Sequence, residues 1–516
     1  MSTEPPARVH RLLVANRGEI AIRVLRAATE LGLATVAIYS QEDRFALHRF
    51  KADQSFLVGA GRSPVAAYLD IEGIVAIARD AGADAIHPGY GFLAENPEFA
   101  EAVRAAGIVF VGPRAQTMRL LGDKVAAREQ ARAAGVPILA ATEPLPSDPA
   151  AAAAIVAALG YPAILKASWG GGGRGMRIVR DPDGLREALP VARREALAAF
   201  GNDALFAERY VARARHVEVQ LLGDRAGNVV QLGERDCSVQ RRHQKVVEES
   251  PARALEPALR AALLDAALRI FRAVGYENAG TAEFLIDTPS GEFAFIEANP
   301  RIQVEHTVTE LVTGIDIVKA QIRLAEGALL GSAESGVPPQ SEIALRGSAL
   351  QCRITTENPQ ADFLPTFGAI TAYRPATGFG VRLDGTGFAG ATILPFYDSL
   401  LEKVTVWAPT FEEARLRMLR ALREFRVRGV TTNVSFLDAL LSSPQFRVGP
   451  LPTSYLDESL AQLVFPQRRD RATRLLAFIG ETIVNGNAEV RGRPPAEVRA
   501  SAPLPPERGR PLPGTR

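Results

Sequence analysis

The chain has 516 residues, 47% of them hydrophobic and 23% charged, fractions ordinary for a globular protein. That length exceeds what one hydrophobic core sustains, so several domains are expected. A net charge of +2 argues against nucleic acid or another polyanion as partner, and two cysteines, Cys237 and Cys352, exclude a disulfide framework and suit a reducing compartment.

In chain order, residues 1–10 lack the apolar core of a secretory signal and are too short and proline-broken for a transit peptide, so a cytoplasmic protein is expected. From Arg11 the pattern is strand (12–15), a tight turn at Asn16-Arg-Gly, helix to Leu31, and strand (35–39). This alternation continues through 108–111, so residues 1–120 read as a parallel α/β unit. The first turn carries only Gly18, which leaves a dinucleotide fingerprint unsupported. The turn His87-Pro-Gly-Tyr-Gly follows a strand end, where such sheets bind ligands, and it presents Tyr90.

A helix is expected around Lys124, then an alanine-rich helix that ends before Gly160. Its apolar run, 150–165, is broken by Gly160-Tyr-Pro and is no membrane span. A short strand (163–166) leads into a run of four glycines, 170–173, and a strand resumes at 176–179. Further strands are expected at 217–222, 229–232, 281–286 and 292–296, the last two joined as a hairpin. Thr307-Val-Thr-Glu310 has the form of a capping box and opens a helix, and another follows Gly314. A Gly/Pro/Ser-rich stretch at 331–341 marks a boundary. Beyond it, 342–450 mixes strands with a basic helix (411–425), and an amphipathic segment covers 471–479. Seven prolines in the last 26 residues make 491–516 a linker.

The chemistry concentrates in residues 297–305. Glu297, Asn299, Arg301, Gln303 and Glu305 occupy alternate positions, with Ala298, Pro300, Ile302 and Val304 between them. In an extended chain this gives one face with two carboxylates, two amides and a guanidinium, able to hold a cation and an anion side by side. Pro300 cannot donate a ladder hydrogen bond, so the row is expected to run off a strand end and divide there. Glu283, on the paired strand, adds a hard oxygen donor suited to Mg²⁺ or Mn²⁺ shared with phosphates. The four glycines lie between two strands rather than before a helix, which reads as a hairpin able to cover a nucleotide and not as a Walker loop. Lys124 and Lys166 are candidate phosphate cations. Residues 233–249 are so dense in mixed charge that an exposed loop is expected.

Five ordered stretches, HPGYGFLAEN, KASWGGGGRGM, GERDCSVQRRHQKVVEESP, GTAEFLI and IEANPRIQVEHTVTE, resemble the biotin carboxylase domain of biotin-dependent carboxylases, in the ATP-grasp superfamily. The resemblance covers residues 8–455. HRFKADQSFLVG, FRVRGVTTNVSFL and FPQRRDRATRLLAFIGETIVNG are similar to the amino-terminal part of the pyruvate carboxylase branch. It implies a Rossmann-like domain (1–120), an ATP-grasp domain (121–335) with a glycine-rich lid (138–207), an α+β carboxyl-terminal domain (342–455), a helical segment (456–490) and the tail (491–516). It also implies that Lys124, Lys166, Gly172 and Gly173 contact or cover ATP phosphates. Glu208, Arg209 and Val211 would hold the adenine, and His216, Gln240 and His243 would lie along ribose and phosphates. Glu283, Glu297 and Asn299 would bind Mg²⁺ or Mn²⁺. Lys245, Arg301, Gln303 and the Val304 backbone would hold bicarbonate, with Glu305 as base, and Tyr90 and Arg353 would meet biotin. Arg426, Arg428 and Arg471 resemble positions near an acetyl-CoA activator site.

None of the four methionines precedes a lysine, so the biotinylated lysine of the family is absent, and biotin would arrive on a carrier domain in trans. The expectation is therefore an isolated biotin carboxylase domain plus linker, forming a homodimer. The rival expectations are the equivalent subunit of an acetyl-CoA or propionyl-CoA carboxylase, an ATP-grasp ligase for a different carboxylate, and a non-catalytic nucleotide-binding scaffold. The 468–486 segment argues against the first, Arg353 with the Gln303–Glu305 set against the second, and the intact charged row against the third.

Overall fold

The computed structural model describes residues 8–168, 176–465 and 471–486. Gly172 and Gly173, and the proline-rich tail, lie outside them. The chain divides after Phe465 into a large unit and a short carboxyl-terminal one. In the short unit the amphipathic segment is a helix, Arg471–Asn485, longer than expected, with Leu475, Leu476, Phe478, Ile483 and Val484 exposed.

The amino-terminal part is a five-stranded parallel sheet, in the order Gln54–Leu57, Ala34–Tyr39, Arg11–Val14, Ala85–His87, Val109–Phe110. Leu12, Leu13 and Val14 are all buried, as a central strand covered on both faces requires. The first strand turns directly into the helix Gly18–Glu30. Several helices of the chain begin on an Asp or Asn whose side chain accepts from a first-turn N–H, with Asn96, Asp148 and Asp181 each followed by proline at the first helical position. Asp123 caps the helix Lys124–Ala133 in this way, accepting from Ala126 N–H at 2.8 Å, which fixes Lys124 at the helix start.

Two antiparallel sheets follow. A small one has Ala163–Ala167 between Arg177–Val179 and Leu205–Arg209, packed on the helices Pro149–Leu159 and Pro182–Phe200. The large one has eight strands in the order Phe293–Asn299, Asn278–Asp287, Ala214–Gly223, Val229–Arg241, Gln244–Ser250, Ser348–Thr355, Leu400–Ala408, Val381–Gly385. It runs without interruption across the Gly/Pro/Ser-rich boundary in the sequence, because Val247 pairs with Cys352.

Alternation decides what each face of this sheet does. In Ala214–Gly223, Val217, Val219 and Leu221 join Ala282, Phe284 and Ile286 of the neighbouring strand in a core against the helix Pro257–Ala273. His216, Glu218 and Gln220 point the other way with Thr281 and Glu283, and all five are buried. One face of a central sheet is thus a buried polar surface.

Two sequence expectations change here. Residues 233–249 are not an exposed loop: they form two central strands joined at Arg242 and His243, with Glu234, Arg235, Asp236, Glu248 and Glu249 buried. Mixed charge survives there because each of these buried ions has a partner of opposite charge. Arg215 holds Asp236 at 2.7 Å, and Arg235 holds Glu218 at 2.5 Å. Thr307 is not a helix cap either. The helix is His306–Thr313 with Glu305 at its cap position, and the Thr307 hydroxyl instead meets Gln351 and, at 2.8 Å, Thr405. The two neighbouring hydroxyl and amide partners outcompete the backbone N–H that a capping box would use.

Candidate active site

The row at 297–305 divides where proline interrupts it. The ladder with the neighbouring strand ends at the Thr281–Asn299 pair, and the chain then turns into the helix at His306. Ile302 packs into the core, while Gln303 and Glu305 are buried on the polar side.

Register builds the first half of the site. Glu283 lies opposite Glu297 on one side and opposite Glu218 on the other, and Glu218 lies opposite Arg235. Four charged residues therefore cross four strands in one row. Glu283 is the hub. Its Oε1 accepts from Asn299 Nδ2 at 2.7 Å and Gln303 Nε2 at 2.6 Å, and its Oε2 meets His216 Nε2 at 2.5 Å. Gln240 donates to the other ring nitrogen of His216 at 2.6 Å, so the imidazole proton lies on the Glu283 side. Burial would raise the Glu283 pKa, but Lys245 and His216 outweigh it and hold it well below the usual carboxylate range.

The second half centres on Lys245. Its Nζ lies 2.5 Å from Glu218, 3.2 Å from Glu283 and 2.6 Å from Glu305. Burial disfavours the ammonium, yet these three carboxylates keep its pKa well above the ordinary lysine value. Glu305, 2% exposed, gives its other oxygen to Arg353 at 3.0 Å. Burial pushes its carboxyl up, and Lys245, Arg353 and Arg235 reverse this and hold it far below the usual range. Arg353 is itself anchored by Glu248 at 2.5 Å. Arg301 donates to Asn299 Oδ1 at 3.0 Å and faces Glu95 at 3.3 Å.

At the far end, Lys124 sits 3.2 Å from Glu297, and Lys166 and Arg128 both bind Glu208. Arg209 donates its backbone N–H to Ala140 carbonyl at 2.9 Å. One cleft of about 950 Å³ joins the whole set: it is lined by Lys124, Lys166, Glu208, Arg209, Val211, His216, Gln240 and His243, by Lys245, Glu283, Glu297 and Asn299, and by Arg301, Gln303, Val304, Glu305, Arg353 and Tyr90. Arg426 and Arg428 are not among its lining residues: they lie on a short strand paired with Ala372–Arg374. Arg471 opens the helix of the carboxyl-terminal unit, and its side chain is outside the described residues.

Several side chains of this cluster escaped the sequence reading. Glu218 was legible in the alternation His216-Val-Glu-Val-Gln220, which repeats the pattern of the 297–305 row. Arg235 and Glu248 sit in the segment read as a loop. Arg235 places all five N–H groups, on Glu218, Gln220, Thr309, Thr281 and Gln303 at 2.5–3.3 Å. It thereby fixes the Gln303 amide with its NH₂ toward Glu283. The donor set suits a divalent cation: Glu283, Glu297 and Asn299 present hard oxygens, and His216, Glu218 and Glu283 bring ligand atoms within 4.8 Å of one another.

Comparison with known proteins gives a consistent pattern. Residues 8–118 match the model of the biotin carboxylase N-terminal domain, 123–333 that of the carbamoyl-phosphate synthase L chain ATP-binding domain, and 351–458 that of the biotin carboxylase C-terminal domain. Pyruvate carboxylase of Bacillus subtilis is 52% identical over 479 residues, 93% of this chain but 42% of that protein. The structure of Rhizobium etli pyruvate carboxylase with the allosteric activator acetyl coenzyme-A superposes with a TM-score of 0.88 at 54% identity, covering 98% of this chain and 45% of that one. The biotin carboxylase domain dimer of Hydrogenobacter thermophilus 2-oxoglutarate carboxylase, in complex with MgADP, ADP and bicarbonate, gives a TM-score of 0.86 at 43% identity, covering 89% of this chain and all of that one. The chain thus spans less than half the length of the pyruvate carboxylases it matches. Among the described residues no helix is long and apolar enough to cross a membrane.

Proposed function

The chain belongs to the biotin carboxylase family, and from that premise we propose that it carboxylates biotin with bicarbonate and ATP as the first half-reaction of a pyruvate carboxylase. The observation that carries this reading is the placement of Glu305 between Lys245 and Arg353 in the same cleft as Glu283 and Glu297.

Bicarbonate, held by Arg301, Gln303, Lys245 and the Val304 backbone, becomes a useful nucleophile once it loses its proton. Glu305 takes that proton. Its low pKa makes it a modest base, but the cations that lower it also stabilise the dianion that forms. Glu218 keeps Lys245 in place while Glu305 is neutralised, since the ammonium still has two carboxylate partners. Lys124 and Lys166 bind the phosphates, exchanging Glu297 and Glu208 for phosphate oxygens. Glu283, Glu297 and Asn299 hold Mg²⁺ or Mn²⁺, which when bound spreads the charge of phosphoryl transfer. Attack of carbonate on the γ-phosphoryl group releases ADP and leaves carboxyphosphate. Residues 138–207, including Gly172 and Gly173, act as the lid that keeps water from this intermediate. Carboxyphosphate then yields CO₂ beside biotin, its phosphate takes the biotin N–H proton, and Arg353 stabilises the enolate with Tyr90 alongside.

Glu208, Arg209 and Val211 flank the adenine in this reading, and Gln240, His216 and His243 the ribose and phosphates. A homodimer follows the dimer of the Hydrogenobacter domain. Arg426, Arg428 and Arg471 are proposed contacts for acetyl-CoA, the activator in the Rhizobium structure. Two buried free cysteines suit a cytoplasmic location. The test is ADP release with and without bicarbonate and free biotin: stimulation by both supports the proposal, and release that ignores biotin overturns it.

A further inference from the structure

Behind the cleft lies a charge that the proposed chemistry does not use. Lys403 is 0% exposed, on the strand Leu400–Ala408 opposite Arg353. Its Nζ lies 2.9 Å from Glu19 Oε2 and donates to Val304 carbonyl at 3.1 Å. The other oxygen of Glu19 accepts from the Tyr90 hydroxyl. Glu19 belongs to the first turn of the helix Gly18–Glu30, and Tyr90 to the loop after Ala85–His87, whose backbone Asn16 holds through Pro88 and Tyr90 carbonyls at 2.7 and 2.8 Å. Three segments far apart in sequence thus converge on one ammonium.

A buried ammonium is costly unless paired and hydrogen-bonded, and an apolar side chain of similar length would fill the space without that cost. The partners show what the charge does. The Val304 carbonyl belongs to the peptide whose nitrogen is that of Glu305, so holding it fixes the backbone from which the Glu305 carboxylate projects. The Tyr90 hydroxyl fixes the ring at the opposite end. Resting on the function proposed above, we propose that Glu19 and Lys403 are positioning residues that hold Glu305 and Tyr90 as one unit, and so set the bicarbonate end of the site relative to the biotin end. A small displacement of the base is enough to lose about a hundredfold in rate.

The test uses Lys403→Met and Glu19→Gln in the full chain, with KM for ATP, bicarbonate and free biotin measured separately and the thermal midpoint recorded. Lys403→Met is expected to lower bicarbonate-dependent kcat/KM by about tenfold or more while KM for ATP stays within about twofold. Glu19→Gln is expected to raise KM for free biotin, and the double variant to be no worse than the worse single one, as for residues acting as a unit. Additive losses, a KM for ATP rising in step with the others, or a lowered midpoint with unchanged kinetics would each overturn the inference. Should Lys403→Met fail to fold, Glu19→Gln and Tyr90→Phe remove partners of the same chain with little change in volume, and their non-additivity decides the matter. A wild-type chain without biotin-stimulated ADP release overturns the functional reading first, and this inference with it.

Discussion

Lys245 and Glu305 meet at 2.6 Å, and the same ammonium lies 2.5 Å from Glu218 and 3.2 Å from Glu283. Three strands and the turn before a helix deliver these four residues to one point. The site is thus a shared charge rather than a set of separate ion pairs, and removing any member changes the others.

Lys245→Gln should therefore be worse for catalysis than loss of one hydrogen bond. It removes the foremost of the charges that lower the Glu305 pKa, so burial then drives that carboxyl upward and less of it is ionised. It also removes a cation from the developing dianion. Bicarbonate-dependent ADP release should fall by about two to three orders of magnitude, with ATP binding retained. Fluorescent-nucleotide titration beside the steady-state assay checks this, and a matching loss of ATP affinity would contradict it.

Arg235 should matter for stability. It is 0% exposed and satisfies five acceptors, including the carboxylate of Glu218. Arg235→Met leaves Glu218 buried with only Lys245, and leaves Gln220, Gln303 and two threonines short of a donor. Breaking one partner of a buried pair costs about 3–5 kcal/mol, and urea unfolding of the variant should show a loss of that order. A loss near that of an exposed pair, under about 1 kcal/mol, would mean that the pocket relaxes or admits water.

How much of this was legible depends on which physical rule governs each segment. The amino-terminal unit followed from strand–helix alternation, and the division of the 297–305 row at Pro300 from the missing N–H of one residue. Residues 233–249 misled because charge density normally marks solvent, whereas here several charges meet their opposites on strands distant in sequence: Arg235 with Glu218, Glu248 with Arg353. Such compensation is a property of register, which pairs residues 17 and 105 positions apart and leaves no local mark. Thr307 failed for a similar reason, its hydroxyl being claimed by Gln351 and Thr405 from strands that enter the sequence later. Lys403 gave no signal at all, since a lone lysine in a strand reads as solvated until its burial is known.

Two buried carboxyls should make stability fall as pH rises. Burial pushes Glu402 up to about 8, with Asp384 and Glu19 adding to the effect and the Tyr373 hydroxyl and Arg26 opposing it. Glu249 is pushed up to about 7 by burial and Asp236, against Arg253. Each folded pKa lies above the unfolded one, so the folded state retains protons that the unfolded state has released. The stability each contributes is fully present below the ordinary carboxyl range and is lost as pH rises through the folded value. Urea midpoints should drop from about pH 5 to about pH 8 and level off above it, and Glu402→Gln should flatten most of that drop. A drop unchanged in Glu402→Gln would assign it to other groups.

Asp362 offers a prediction about nucleotide binding that leaves stability almost untouched. Arg242 and His243 form a turn with φ of 48° and 62°, and Asp362 and Phe363 form another with φ of 50° and 59°. These left-handed conformations are uncommon outside glycine and need support. The support is mutual: Asp362 accepts from Arg241 at 2.6 Å and Arg242 at 2.8 Å, and the Arg241 guanidinium lies 4.0 Å from the centre of the Phe363 ring. Arg241, His243 and Phe363 all line the cleft. Asp362→Ala frees the turn that carries His243, a proposed ATP contact, while removing only the exposed carboxylate's ion pairs with Arg241 and Arg242. KM for ATP should rise about two- to fivefold with little change in thermal midpoint or in KM for bicarbonate. If the midpoint falls and KM for ATP stays where it was, the two turns brace the fold and do not shape the nucleotide end.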